Sequence, residues 1–378
     1  MSIAKKIFTE LVASADVNIN GSKSWDIQVH DERLYKRVLY QGSLGFGEAY
    51  MDQWWDCQQL DQMIARIIGA RLHQMIERRG WLAIKLALAK LNFIQAFLVN
   101  QQSKKRAFIV GKKHYDIGND LYRAMLGKSM VYTCGYWRHA DSLDAAQLAK
   151  LRLVCDKLNL KSGQKVLDIG CGWGSFAKFA AENYGVSVVG ITISADQMKL
   201  GKEYCAGLPI EIRMQDYRDV NEPFDHIVSL GMFEHVGYKN YRTYFEVAHR
   251  CLKDDGLFLL HTIGNNTSRT KGDAWVNKYI FPNGQLPSMA QISRAHEKLF
   301  ILEDLHNFGA YYDKTLMAWF HNFEQNWSEL KADYDERFYR MWKYYLLTFA
   351  GTFRARYIQL WQLVLAKRGL PGGYYSIR

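Results

Sequence analysis

The segment Val166-Leu167-Asp168-Ile169-Gly170-Cys171-Gly172-Trp173-Gly174-Ser175 sets one acid two residues ahead of three glycines at alternate positions. Apolar residues, a glycine turn and a following helix start would let the backbone run against a ligand and offer it free N–H groups. Dinucleotide enzymes use GxGxxG at the same place. Here position 175 is Ser, and the next apolar run ends Gly190-Ile191-Thr192-Ile193-Ser194 without the acid that would hold a nicotinamide ribose. The acid precedes the turn instead, as Asp168.

A second set of residues has acid-base character. Glu234 and His235 follow one apolar run, His261 ends another, and Cys134 and Tyr312 lie in aromatic surroundings. Each has a plain reading: Cys134 as a small buried residue, Glu234 beside the free N–H groups of a helix start, His261 as a hydrogen-bonded core histidine, Tyr312 as packing. Their joint arrival at the carboxyl ends of strands and in a covering segment is what makes a site.

The elements that must carry these residues follow from the hydrophobic pattern. Strands are expected at 166–168, 186–193, 224–229, 256–261, 299–307 and near 357–367, with a third strand before Gln215 and a helix at 176–184. This alternation predicts an α/β, doubly wound sheet with ligands at the carboxyl ends of its strands. Residues 1–103 read as a mainly helical, lipid-associated domain, with a loop at Gly42–Gly47 that packs rather than binds phosphate, since no GK[ST] follows. Residues 104–378 read as the catalytic domain, with helical cap insertions at 265–297 and 313–355.

Hydrophobic residues make up 48% of the 378 and charged residues 23%, an ordinary globular balance that excludes a disordered chain. The formal net charge of +11 is concentrated: between Arg66 and Lys113 stand eleven Lys or Arg against one acid, Glu77. Such a block attracts polyanions, either nucleic acid or an anionic lipid surface. Within it, Trp81 to Val99 is apolar, but Lys85 and Lys90 each cost roughly 3 kcal/mol in a bilayer centre, which favours an amphipathic interfacial helix. The N-terminal residues lack a secretory h-region, so a cytoplasmic protein is expected. Six scattered cysteines without a CxxC pair suggest neither zinc nor a disulfide framework.

The DxGxGxG pattern resembles motif I of class I S-adenosylmethionine-dependent methyltransferases, which have a Rossmann-like doubly wound sheet. The resemblance implies that Asp168, Gly170, Gly172 and Gly174 line the methionine and ribose side of the cofactor, joined by Tyr132 and Thr133. It places Gln215 and Asp216 near the adenine, with Thr192 and Gln197 replacing the usual ribose-binding acid. HYDIGNDLY (114–122), VYTCGYW (131–137), GMFEHVG (231–237), LLHTIG (259–264), KYIFPNGQLPS (278–288) and NFGAYYDKTLMAW (307–319) narrow the likeness to cyclopropane fatty acid synthases and mycolic acid cyclopropane synthases. It spans the whole chain, and the helical first domain matches the phospholipid-acting branch.

That family implies methylene transfer from S-adenosylmethionine to cis double bonds of unsaturated phospholipids, with a bound bicarbonate held by Cys134, Glu234, His261, Ile263 and Tyr312. It implies an enzyme on an anionic phospholipid bilayer at the inner face of the membrane, with a homodimer as the expected assembly. Some members carry Cys directly before AGxFR; Phe349 stands there, so no covalent thiol mechanism is expected. Two enzymatic alternatives stay open, lipid methylation without ring closure and RNA methylation. No RNA module is recognisable and the basic residues are interleaved with Leu, Ile and Phe, so no nucleic-acid partner is expected. A non-catalytic lipid binder would not need Asp168, Glu234 and His261 together.

Overall fold

The computed structural model describes residues 2–71 and 118–378. Most of the basic segment, the stretch Trp81 to Val99 and the start of the 114–122 motif lie outside the described residues. Among those described, no helix is long and apolar enough to cross a membrane, and all six cysteines are buried and unpaired.

The chain divides into two units. The first contains, of the described residues, 2–71 with Lys271–Phe281 and Trp327–Tyr357. The division near residue 103 expected from the sequence therefore covers only the first of its segments: parts of both expected cap insertions belong with the N-terminal residues. Glycines explain how. Gly42, at φ +57, turns the chain out of the helix Arg33–Gln41, and the stretch read as a loop is a second helix, Ser43–Met51. Glycine costs about 1 kcal/mol in a helix interior, and here it admits neighbours that no side chain would. A Cβ on Gly45 would stand 2.6 Å from the Arg37 carbonyl oxygen, and one on Gly47 2.5 Å from the Trp275 indole. Trp275 packs edge-on to Tyr344, centroids 4.7 Å apart, within a cluster that includes Tyr50, Phe46 and Trp55. Glu48 accepts hydrogen bonds from Arg37, Lys278 and Tyr279 at 2.5–2.8 Å, fastening the same segment by charge. A short antiparallel ribbon, β1 (Gln28–Val29) and β2 (Trp55–Asp56), completes the unit.

The second unit, 118–270 with Pro282–Asn326 and Ile358–Arg378, is built on β3 (Lys165–Ile169), β4 (Ser187–Thr192), β5 (Ile210–Met214), β6 (Phe224–Leu230), β7 (Leu252–Asn265), β8 (Ile301–Asn307) and β9 (Ile358–Ala366). Their order is β5-β4-β3-β6-β7-β9-β8. The first five pair in parallel, and β9 runs antiparallel to both β7 and β8. Parallel strands buried on both faces should be apolar throughout, and alternate residues feed two cores. Leu167, Ile169, Val189 and Ile191 meet Phe245 and Phe258 on one side. Val166, Val188 and Val228 meet Val154, Phe176 and Leu259 on the other. Successive strands step outward from β3 to β5 on one side and from β6 to β7 on the other, so a crevice opens between the carboxyl ends of β3 and β6.

Near the far end of β7, Gly264 pairs with Gln359 and lies under the ring of Trp361. A Cβ there would run into that ring, so Gly264→Ala is expected to destabilise the protein by about 2 kcal/mol or more, measured as a lower midpoint in urea unfolding. An unchanged midpoint would mean that Trp361 is free to move aside.

Candidate active site

Between the ends of β3 and β6 lies a cavity open to solvent, with about 1200 Å³ of empty space. It is lined by the turn after β3 (Asp168 to Trp173), the end of β4 (Ile191 to Ile193), Gln215 to Arg218 after β5, Leu230 to Met232 after β6, and Tyr132 and Thr133. Of the ten residues the resemblance assigns to the cofactor, nine line it.

The three glycines of the turn do different work, although all have positive φ. A Cβ on Gly172 would meet nothing within 4 Å, so its open face is available to a ligand. Gly170 makes room for Met232, whose Cβ would be 2.6 Å away. Gly174 does not line the cavity. A Cβ there would come 2.7 Å from Cys205 Sγ and 3.0 Å from Ile212 Cδ1, so this glycine lets the helix Ser175–Tyr184 begin close to the neighbouring helix and strand.

Local hydrogen bonds hold the rim. Ser194 caps the helix Ala195–Tyr204 by accepting from the Gln197 N–H at 3.2 Å, and the Thr192 hydroxyl donates to Gln197 Oε1 at 2.9 Å. Asp216 accepts from the Arg218 backbone N–H and from its guanidinium at 2.8 and 3.1 Å, which orients the carboxylate at the rim. Tyr132 lies between Tyr122 and Trp319, each 5.3 Å away by ring centroids.

The five residues assigned to bicarbonate do not line this cavity. They form two groups. Glu234 sits in a short 3-10 turn after β6, and its Oε1 accepts the backbone N–H of Ile263 at 2.6 Å, so it braces β7 rather than a helix start. Its Oε2 is buried without a hydrogen-bond partner among the described residues. His261, two residues before Ile263 on β7, meets Gln362 Nε2 through Nδ1 at 3.2 Å, and its Nε2 is likewise buried and unpartnered. In the second group, Cys134 Sγ lies 3.7 Å from Thr315 Oγ1, and Tyr312 is one turn earlier on the helix Ala310–Leu330. Phe308 links the two groups, with its ring 5.7 Å from His261 and 5.6 Å from Tyr136, two residues after Cys134.

Burial decides the charge states. It pushes Glu234 up to about 7, opposed by the Ile263 N–H. It drives His261 well below the ordinary imidazole range, helped by the positive charges of Lys150 and Lys157. It also raises the Cys134 thiol, which is therefore no thiolate nucleophile at neutral pH.

One cavity residue escaped sequence reasoning. Lys150, on the helix Leu143–Lys157, is fully buried and donates to Thr133 Oγ1 at 2.9 Å. Its signal was positional: with Ala146 and Val154 it falls at fourfold spacing on the buried stripe of the helix, where a solvated lysine does not belong.

Comparison with known proteins agrees with this geometry. The sequence model of Mycolic acid cyclopropane synthetase matches residues 102–363. The chain belongs to the cyclopropane synthetase family. It is 53% identical over 368 residues to the cyclopropane-fatty-acyl-phospholipid synthase of Escherichia coli K12, covering 97% of this chain and 94% of that protein. Among solved structures it is similar to the cyclopropane synthase MmaA2 of Mycobacterium tuberculosis, with 32% identity, a TM-score of 0.65, and 69% of this chain and 98% of that one covered. The mycolic acid cyclopropane synthase CmaA1, solved in complex with SAH and CTAB, aligns at 32% identity and a TM-score of 0.64 over 68% of this chain and 97% of that one. The doubly wound sheet of this cyclopropane synthetase family member is thus the class I methyltransferase sheet expected from motif I.

The buried carboxyl of Glu234 makes a stability prediction. With its pKa raised from 4.5 to about 7, the folded protein holds this proton more tightly than the unfolded chain. Stability from this group is therefore full below about pH 4.5 and falls as pH rises through 7, by on the order of 3 kcal/mol. Glu234→Gln keeps an acceptor for Ile263 and removes the charge. It is expected to match wild type in urea near pH 4 and to exceed it near pH 8; equal stability at both would show that Glu234 is not desolvated.

Proposed function

We infer that this chain transfers a methylene group from S-adenosylmethionine to cis double bonds of phospholipid acyl chains, forming cyclopropane rings. The observation that carries the reading is its near full-length likeness to a cyclopropane-fatty-acyl-phospholipid synthase. The cavity fits the cofactor on its own evidence: an open glycine face at Gly172, an acid at Asp168 and a hydrogen-bonding rim at Thr192, Gln197, Gln215 and Asp216. Tyr132, Thr133 and Gly170 complete the set that would hold it.

When bound, S-adenosylmethionine supplies an electrophilic methyl carbon on a sulfonium. An isolated alkene is a weak nucleophile, so the acyl chain must be held in line and dry. Positive charge then develops on the acyl carbon. Aromatic faces such as those of Tyr132 and Trp319 stabilise such charge by roughly 0.5–2 kcal/mol each without attacking it. Ring closure requires removal of a proton from the added carbon, and a protein carboxylate placed there would collapse onto the cation as an ester. Glu234 and His261 instead offer two buried, unpartnered polar atoms, Oε2 and Nε2, suited to hold a bicarbonate that takes the proton. Ile263, Tyr312 and Cys134 are assigned to the same cradle. With Phe349 in place of a thiol, no covalent step is required.

Cells expressing the chain should accumulate phospholipids heavier by one CH2 per double bond with no new unsaturation, read by lipid mass spectrometry; a methyl branch without a ring would overturn the cyclopropane assignment. His261→Ala is expected to lower turnover at least about a hundredfold, the scale of losing a positioned acid-base group. Stripping bicarbonate should slow wild type reversibly, and full speed without it would remove bicarbonate from the mechanism. The basic block supports peripheral binding to an anionic bilayer, about 1 kcal/mol per Lys or Arg near the surface. Reversing Arg78, Arg79, Lys104 and Lys105 to Glu should abolish cosedimentation with anionic vesicles at low salt while leaving cofactor affinity intact; retained vesicle binding would refute that role.

A further inference from the structure

Two buried groups of opposite charge type face the cavity without touching each other. Asp168 is 2% exposed and lines the cavity from the end of β3, and its carboxylate makes no hydrogen bond or ion pair among the described residues. Lys150 is fully buried and lines the same cavity from the helix Leu143–Lys157. Its ammonium has three N–H donors, and one goes to the Thr133 hydroxyl at 2.9 Å. Burial pulls Lys150 down to about 7 and pushes Asp168 up to about 7, each opposed by the charge of the other. An ion pair in direct contact would compensate both; held apart, each retains capacity for a partner that the protein does not supply.

A single ligand that neutralises both must carry an anion and a cation. The free α-amino acid end of the cofactor is such a zwitterion, and the cavity holding these groups is the one with the open glycine face. We propose that Lys150 is a cofactor-binding residue that recognises the α-carboxylate of S-adenosylmethionine while Asp168 faces its α-ammonium, so that the site selects for an intact amino acid end. The inference rests on the S-adenosylmethionine reading above and adds to it the residue that discriminates by the carboxylate. Lys150 also ties this selection to the loop at Tyr132 to Cys134, because the same ammonium holds Thr133.

The alternative is that Lys150 only props Thr133. Three ligands separate the two in calorimetry with the full chain: S-adenosylhomocysteine, its decarboxylated amine analogue, and 5'-methylthioadenosine, which lacks the whole amino acid end. Lys150→Met is expected to weaken S-adenosylhomocysteine at least about tenfold, the scale of one charge-assisted hydrogen bond, while the amine analogue and methylthioadenosine change less than about twofold. Asp168→Asn should weaken the first two and spare the third. Lys150→Gln, which keeps a donor for Thr133 without the charge, provides the same comparison if the Met variant does not fold. A similar loss for all three ligands in the Lys150 variants, or no loss for any, overturns the proposal. Failure of wild type to bind S-adenosylhomocysteine at all would instead overturn the cofactor reading, and this inference with it.

Discussion

Strand β6 pairs in parallel with β3 on one edge and with β7 on the other, and the placement of the cavity walls, of Glu234 and of His261 follows from that arrangement. Because connections leave β3 and β6 in opposite directions across the sheet, a cavity opens above their carboxyl ends among the described residues. The turn after β3 brings Asp168 and Gly172 to one wall, and the turn after β6 brings Gly231 and Met232 to the other. The residue after Phe233 then reaches sideways: Glu234 bonds the Ile263 N–H on β7, which adds a side-chain link to the backbone pairing of β6 with β7. Displacing β6 would therefore disturb both halves of the site at once.

Buried polar groups without partners are costly, about 1–3 kcal/mol each and more when charged. Among the described residues the sheet unit nevertheless carries several such groups at one end: Glu234 Oε2 and His261 Nε2 have no hydrogen-bond partner, the Asp168 carboxylate makes no ion pair, and Lys150 bonds the Thr133 hydroxyl but no carboxylate. The opposite design holds the N-terminal unit, where Glu48 accepts from Arg37, Lys278 and Tyr279.

Much of this was readable in the residues. The apolar runs and the acid before the glycine turn marked β3, β4 and the cavity wall, because backbone geometry at such turns admits few residue types. At Gly174 the sequence leaves two reasons for a positive φ, ligand approach and helix packing, and the nearness of Cys205 and Ile212 shows that packing is one of them. Lys150 was passed over because a lysine in a helix is ordinarily solvated, and only its spacing with Ala146 and Val154 marks it as buried. Residues 271–281 and 327–357 were assigned to the wrong unit for a related reason: Trp275 belongs with Gly47 by shape, and shape at that separation leaves no local pattern. The roles of Cys134 and Tyr312 came from family likeness alone, since neither has a local signature.

The union of Gly47 with Trp275 has a consequence for how the chain is made. Residues 2–71 are synthesised well before Trp275 and Tyr344, and the aromatic cluster they build around Trp55 lacks those two rings until more than two hundred further residues have been made. Domains that are contiguous in sequence fold as they emerge. This one must wait for the sheet unit to be nearly complete, so its early helices stay open to chaperones and to premature association throughout translation. The earlier segment of this unit is completed only by residues made much later.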